Sequence, residues 1–163
     1  MPEKYVKLNA AQWLWLSQDE PNPHQQAVVA RKRFTLDAVA DATLAITADS
    51  WYRLRVNGEW VADGPCRSWP HRMRYDVLDI RTYLRPGPNE IEVTARFFGV
   101  GSFLRRTVTP GLIAELRLRD PAGQTTVIAT DATWRIAEDQ AGLREVPRAA
   151  LQMESIEVVD ARE

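Results

Sequence analysis

Residues 43–64, TLAITADSWYRLRVNGEWVADG, decide the fold of this 163-residue chain. Apolar and polar side chains alternate along 43–49 and again along 52–57, which is the pattern of half-buried β-strands. The dipeptide Asn57-Gly58 then supplies the two positive-φ residues that a type I′ turn needs. The residues after this turn return as the partner strand. The stretch therefore predicts a strand followed by a β-hairpin in an antiparallel sheet.

The rest of the chain is also built from short strands that are separated by turns. We predict these strands at 11–16, 28–36, 91–97, 112–119, 125–130, 134–136 and 155–159, and a further ordered segment that begins with 75–79. Lys32 interrupts the apolar parity of 28–36, so either the inner face of that strand is imperfect or the strand lies near an edge. Asp79 is placed to cap a single helical turn. About nine or ten strands without a long amphipathic helix indicate an all-β fold, an antiparallel β-sandwich or barrel.

Composition and charge limit the possible function classes. The chain is 45% hydrophobic and 26% charged, as in ordinary globular proteins, and its length suits one domain over residues 1–163. The net charge of −1 gives no bulk field that would recruit nucleic acid or an anionic membrane. There is no apolar run of about 18 residues, and the N-terminus lacks the apolar core of a signal peptide.

The sequence contains no pattern that predicts a catalytic or metal site. The carboxylates are scattered over turns and outer strand faces, so local spacing places no acid–base pair. The single Cys66 excludes an internal disulfide, and we expect a buried, unactivated thiol there. His24 and His71 do not form a repeated zinc-binding spacing. We therefore expect no catalytic residue and no cofactor.

A ligand-binding role has more support in the sequence, because Trp is abundant. Trp69 lies in a loop with Arg67, His71 and Arg72, and it is either an exposed platform or a loop anchor. Trp51 stands beside Asp49, and for Trp51 we expect packing on the sandwich. Aromatic faces and nearby polar groups are the means by which proteins hold sugars. These six residues are the candidate carbohydrate-facing rim, whereas Trp13, Trp15 and Trp134 are expected in the core.

A set of short segments along residues 11–160 carries a family resemblance. The segments are WLW at 13–15, RKRF at 31–34, AD at 48–49, YRLRVNG at 52–58, GPCR at 64–67, YDVLDI at 75–80, LRPGPN at 84–89 and PGLI at 110–113. In this order they resemble the N-terminal domain of bacterial α-L-rhamnosidases of glycoside hydrolase family 78. The resemblance implies a β-sandwich with the jelly-roll topology of galactose-binding-like domains.

The resemblance also implies a role and partners. The family's catalytic helical barrel is not in this sequence, so we expect a non-catalytic accessory domain of a bacterial, cytoplasmic enzyme. Its partners would be a carbohydrate, such as a rhamnose-containing glycan, and the catalytic domain of the parent chain, with neither nucleic acid nor membrane. The alternatives are a purely structural interdomain brace and a self-sufficient glycosidase. Because some sandwiches of this type hold calcium, Asp49 is either a calcium ligand or a residue that bonds the turn backbone.

Overall fold

The computed structural model describes residues 8–16, 23–102, 106, 109–148, 150, 156–160 and 162. These residues form nine strands and one 3-10 turn, η1. The elements are β1 Gln26–Leu36, β2 Asp41–Asp49, β3 Trp51–Val56, β4 Glu59–Gly64, β5 Asp76–Asp79, η1 Arg81–Tyr83, β6 Gly87–Phe97, β7 Gly111–Arg119, β8 Thr125–Ala129 and β9 Arg135–Glu138. No helix within the described ranges is long and apolar enough to cross a membrane.

The strands form two antiparallel sheets that face each other across the core. One sheet has five strands in the order β4-β3-β6-β1-β9, and the other has four in the order β5-β2-β7-β8. The chain passes from the second sheet to the first between β2 and β3. This arrangement confirms the predicted antiparallel β-sandwich of jelly-roll type. β1 pairs with β9 only over residues 28–31, so from Lys32 onward one side of β1 is a sheet edge. This agrees with the edge position that the interrupted parity at Lys32 allowed.

Alternating side chains of both sheets fill the core, because successive residues of a strand point to opposite faces. The inward positions are apolar and almost fully buried, and they include Leu44, Ile46, Tyr52, Leu54, Val56, Ile91, Val93, Leu112, Leu116 and Trp134. Trp134 is therefore in the core as predicted, and its Nε1 donates a hydrogen bond to the carbonyl of Ala129 at 2.8 Å. The single helical turn predicted after Asp79 is η1, and the backbone N–H of Arg81 donates to Asp79 Oδ1 at 2.9 Å.

The N-terminal segment departs from the prediction. Residues 11–16 form no strand, although Leu14 makes an isolated bridge with Leu112 and the backbone N–H of Gln12 donates to the carbonyl of Thr130 at 2.8 Å. The core assignment of Trp13 is wrong, since 54% of this residue is exposed. Its ring instead covers Gly111, where an added Cβ would lie 2.6 Å from a ring carbon. Trp15 packs against the core, and its Nε1 donates to Gln26 Oε1 at 2.7 Å.

Two further expectations need correction. The predicted strand 155–159 begins outside the described residues at Ser155, and 156–160 contain only an isolated bridge from Val159 to Gly142. Cys66 is exposed and not buried. It lies in the loop that follows β4, where no strand directs its side chain into the core.

The β3–β4 turn is joined to the start of β6 by paired side-chain amides. Asn57 and Gly58 have φ values of 53° and 84°, as the predicted type I′ turn requires. Asn57 Nδ2 donates to Asn89 Oδ1 at 2.9 Å and to the carbonyl of Tyr83 at 2.8 Å, while Asn57 Oδ1 accepts from the Glu90 N–H at 2.9 Å. Asn89 is buried and donates to the carbonyls of Arg85 and Gly87. Asn57 therefore has two roles, since it adopts the positive φ of the turn and its side chain hydrogen-bonds the segment that leads into β6.

Tyr52 joins the two sheets at the other end of β3. Its buried hydroxyl donates to Asp76 Oδ2 of β5 at 2.5 Å. Gly64 lies against this pair, because a Cβ there would be 2.3 Å from Asp76 Oδ2 and 2.8 Å from Tyr52 Oη. Burial, with the hydrogen bond to Asp76 and the charge of Asp76, raises the pKa of Tyr52 far above its ordinary value.

We expect Asn57→Val to lower the free energy of unfolding by about 2–4 kcal/mol, since it forces a β-branched residue to positive φ and removes three hydrogen bonds. Asn57→Gly keeps the φ freedom and loses only the hydrogen bonds, so its loss should be smaller. Urea denaturation of both variants measures the two contributions. Equal losses would contradict the φ contribution, and losses within about 0.5 kcal/mol of zero would contradict the amide network.

Stability should fall above about pH 10, where tyrosines of the unfolded chain ionise while buried Tyr52 keeps its proton. A group whose pKa is higher in the folded protein than in the unfolded chain contributes its full stabilisation at pH values below the pKa of the unfolded chain. This stabilisation is lost as the pH rises above that value. Tyr52→Phe should be less stable than wild type by about 1–2 kcal/mol at pH 8, because Asp76 loses its donor. Denaturant titrations from pH 8 to pH 11 should show this gap narrowing. A gap that does not depend on pH would refute the account.

Candidate functional site

The loop between β4 and β5 presents four of the predicted site residues to solvent. Trp69 is 62% exposed, and Arg67, His71 and Arg72 are exposed as well. The rings of Trp69 and His71 are stacked, with centroids 6.3 Å apart and planes 28° from parallel. The Arg72 N–H donates to the Trp69 carbonyl at 2.9 Å, which closes a tight turn. Trp69 is therefore an exposed aromatic surface and does not anchor the loop.

Asp49 lies at the end of β2, where the chain crosses between the sheets. Its Oδ1 accepts a hydrogen bond from Ser50 Oγ at 2.9 Å, and the Asp49–Ser50 peptide is cis. Asp49 also lines a cavity of about 20 Å³ with Ser68 and Pro70 of the loop, a volume far below that of a ligand site. Within the described ranges, no three His, Cys, Asp or Glu side chains are grouped so that they could hold a metal ion. The hydrogen bond from Ser50 holds the Asp49 carboxylate at the crossing between β2 and β3.

Trp51 lies on a different surface, the outer face of β3. It is partly buried, and the Arg53 guanidinium carbon lies 5.0 Å from the centroid of its ring. Arg53 also binds Asp63 of β4, with Nε 3.1 Å from Oδ1 and Nη2 3.4 Å from Oδ2. Trp60 Nε1 donates to the same Asp63 Oδ1 at 3.2 Å, although 59% of Trp60 is exposed. We call Trp51, Arg53, Trp60 and Asp63 the hairpin cluster.

Sequence analysis missed three members of this cluster because a β-bulge brings them together. In a regular strand, residues three apart such as Trp60 and Asp63 point to opposite faces. The register of β3 against β4 shifts between Leu54 and Arg55, so that Trp60 lies opposite Arg55 and Asp63 lies opposite Arg53. Both side chains therefore reach the outer face, as a bulge allows. No local signal in the sequence marks this shift.

The hairpin cluster has the chemistry of a binding surface and lacks that of a hydrolase. Glycoside hydrolysis needs two carboxyl groups across the bond that breaks, about 5–9 Å apart. The cluster's carboxylate, Asp63, is instead paired with Arg53. A flat aromatic ring beside a guanidinium–carboxylate pair offers an apolar face together with fixed hydrogen-bonding groups. That combination suits a polyhydroxylated ring.

Comparison with known proteins gives consistent relatives. The family model of the α-L-rhamnosidase N-terminal domain matches residues 37–148. The GH78 family rhamnosidase of Bacillus sp. GL1 is 42% identical, with a TM-score of 0.83, over 94% of this chain and 16% of that chain. A curated α-L-rhamnosidase of Streptomyces avermitilis is 29% identical over 140 residues, which are 82% of this chain and 12% of the relative. A Pleurotus ostreatus lectin solved with GalNAc shares the fold, with 23% identity and a TM-score of 0.65 over 93% of this chain and 40% of the lectin.

Proposed function

Because the chain belongs to the family of α-L-rhamnosidase N-terminal domains, we propose that it is a non-catalytic accessory domain of a larger α-L-rhamnosidase-like glycoside hydrolase. The chain spans only 16% of the Bacillus enzyme and 12% of the Streptomyces enzyme. We assign residues 1–163 to one β-sandwich domain, and the catalytic carboxylates to the rest of the parent enzyme. The domain's work is then to contact carbohydrate and to dock on its neighbours.

The exposed ring of Trp60 beside the Arg53–Asp63 pair is the observation that supports carbohydrate contact. The indole N–H of Trp60 is held by Asp63, so the orientation of the ring is fixed before a ligand arrives. Such preorganisation lowers the entropy lost on binding. A sugar ring can stack on Trp60 while its hydroxyls bond the remaining donors of Arg53 and acceptors of Asp63. The hairpin cluster is therefore our first candidate for the sugar site.

The Trp69 surface is the second candidate, and docking on the catalytic domain is the second role. Trp69 and His71 expose a stacked aromatic pair, flanked by Arg67 and Arg72. An exposed aromatic pair offers an apolar face that either a sugar ring or a neighbouring protein domain can cover. Trp69 is then either a second sugar platform or part of the brace.

The purified chain should not hydrolyse an aryl α-L-rhamnoside, because the hairpin cluster and the Trp69 loop contain no opposed carboxyl pair. Release of the aryl alcohol, followed by absorbance against a no-protein blank, is the measurement. A full-length rhamnosidase serves as the positive control. Turnover that co-purifies with the chain through two columns would make it an enzyme in its own right.

Calorimetric titration with L-rhamnose and a panel of neutral monosaccharides should give saturable binding to at least one sugar. Trp60→Ala should then weaken that binding about tenfold or more, since it removes the stacking face. Trp69→Ala is the matched variant, because it deletes an equally exposed indole on the other surface. Loss of binding only in Trp69→Ala would move the site to the loop. A lack of binding up to millimolar sugar would leave docking as the role, and calcium dependence would return Asp49 as a ligand.

A further inference from the structure

A second surface with binding chemistry lies at the opposite edge of the five-stranded sheet. A groove of about 450 Å³ runs along β1 and β9, and we call it the basic groove. Val29 and Ala137 are direct cross-strand partners within its lining and supply an apolar strip. Four cationic side chains and one carboxylate also line it; these are Arg31, Lys32, Arg33, Arg135 and Glu90.

Two arginines of the groove lie directly opposite each other on the neighbouring strands β1 and β9. Arg31 of β1 is the register partner of Arg135 of β9. Like charges at directly opposed positions destabilise an antiparallel pair. The side chain of Arg135 makes no hydrogen bond or ion pair with any residue that the structure describes, whereas Arg31 is paired with Glu92. A neutral side chain at position 135 would remove this like-charge contact without breaking a side-chain bond to a described residue.

The neighbouring arginines are held in place by carboxylates that leave part of each guanidinium unused. Arg31 Nε donates to Glu92 Oε2 at 2.7 Å, and Arg33 Nε donates to Glu90 Oε2. Each bond uses the Nε–H, and neither pair of terminal nitrogens bonds another described residue. Exposed pairs of this kind add little stability by themselves. Here these ion pairs orient the terminal N–H donors of Arg31 and Arg33 beside the groove.

We propose that the basic groove binds a carboxylate-bearing saccharide, with its carboxylate between Arg31 and Arg135 and its ring on the strip of Val29 and Ala137. Paired N–H donors of guanidinium groups match the two oxygens of a carboxylate. The groove has the volume of a small-ligand site. β9 is only four residues long, about 13 Å, which favours a compact ring over an extended acidic peptide. The choice of a saccharide among carboxylate ligands rests on the proposed carbohydrate-binding function.

Calorimetric titration of the 163-residue chain with D-glucuronate tests this proposal. We expect saturable binding that weakens as sodium chloride is raised, because the interaction is ionic and partly exposed. D-Glucose, which lacks the carboxylate, should bind at least tenfold more weakly. Equal binding of glucose, or tighter binding of inorganic phosphate or of a tetraglutamate peptide, would overturn the assignment to an acidic sugar.

The variant Arg135→Gln gives a second readout that a structural role would not produce. It should weaken glucuronate binding at least tenfold and at the same time leave the melting temperature unchanged or slightly higher, because a repulsive charge is removed. Arg81→Gln is the matched control, since it removes an exposed cation from η1, and it should bind glucuronate like wild type. Wild-type affinity in Arg135→Gln, or a lowered melting temperature, would contradict the proposal.

The proposals for the basic groove and for the hairpin cluster can be tested independently of each other. Trp60→Ala should lose neutral-sugar binding and keep glucuronate binding, and Arg135→Gln should show the reverse. Glucuronate binding without any neutral-sugar binding would support the groove and remove the proposed role of the hairpin cluster. Neutral-sugar binding without glucuronate binding would support the hairpin cluster and contradict the proposal for the basic groove.

Discussion

The hydrogen-bonded amides of Asn57 and Asn89 fix how the β3–β4 hairpin sits against β6, and the five-stranded sheet depends on that register. β6 is the middle strand and pairs with β3 on one side and β1 on the other. A slip of one residue along β6 would turn every outward side chain into the core. The turn cannot shift without breaking the bonds from Asn57 to Asn89 and Glu90. The hairpin cluster and the basic groove are both on the outer face that this register defines.

The hydrogen bond between Tyr52 and Asp76 fixes the position of one sheet relative to the other, whereas the amide pair fixes the register within one sheet. Tyr52 belongs to the five-stranded sheet and Asp76 to the four-stranded sheet, so their hydrogen bond crosses the sandwich. Gly64 permits it, because any side chain there would displace the carboxylate or the phenol. The loop that carries Trp69 begins directly after Gly64 and ends at Asp76. Its two ends are therefore fixed at one buried contact.

Strands and turns that depend on local sequence pattern could be predicted from the sequence. Contacts that depend on the pairing of residues far apart in the chain could not. Alternation predicted β2, β3, β6 and β7, and the Asn57-Gly58 dipeptide predicted the β3–β4 hairpin. Trp13 is exposed although a core position is expected for it, because its segment forms no strand that directs the ring inward, and the ring covers Gly111 instead. Trp60 was overlooked because the bulge that turns it outward appears only when β4 is aligned with β3. The opposition of Arg31 and Arg135 likewise follows from the pairing of strands that are far apart in the chain.

One cross-strand row connects the two proposed surfaces. It runs through direct register partners on all five strands, from Trp60 through Arg55, Glu92 and Arg31 to Arg135. In the middle of the row Glu92 bonds Arg31 at 2.7 Å and approaches Arg55 at 3.5 Å, so one carboxylate lies between two guanidinium groups. The two ends differ, since one exposes an aromatic ring and the other a guanidinium without a carboxylate partner among the described residues. Because neighbouring strands are about 4.8 Å apart, the ends lie about 19 Å from each other, a distance that an oligosaccharide of a few units can span. The ion-paired centre of the row would then separate the two binding surfaces, which lie toward the two edges of the sheet.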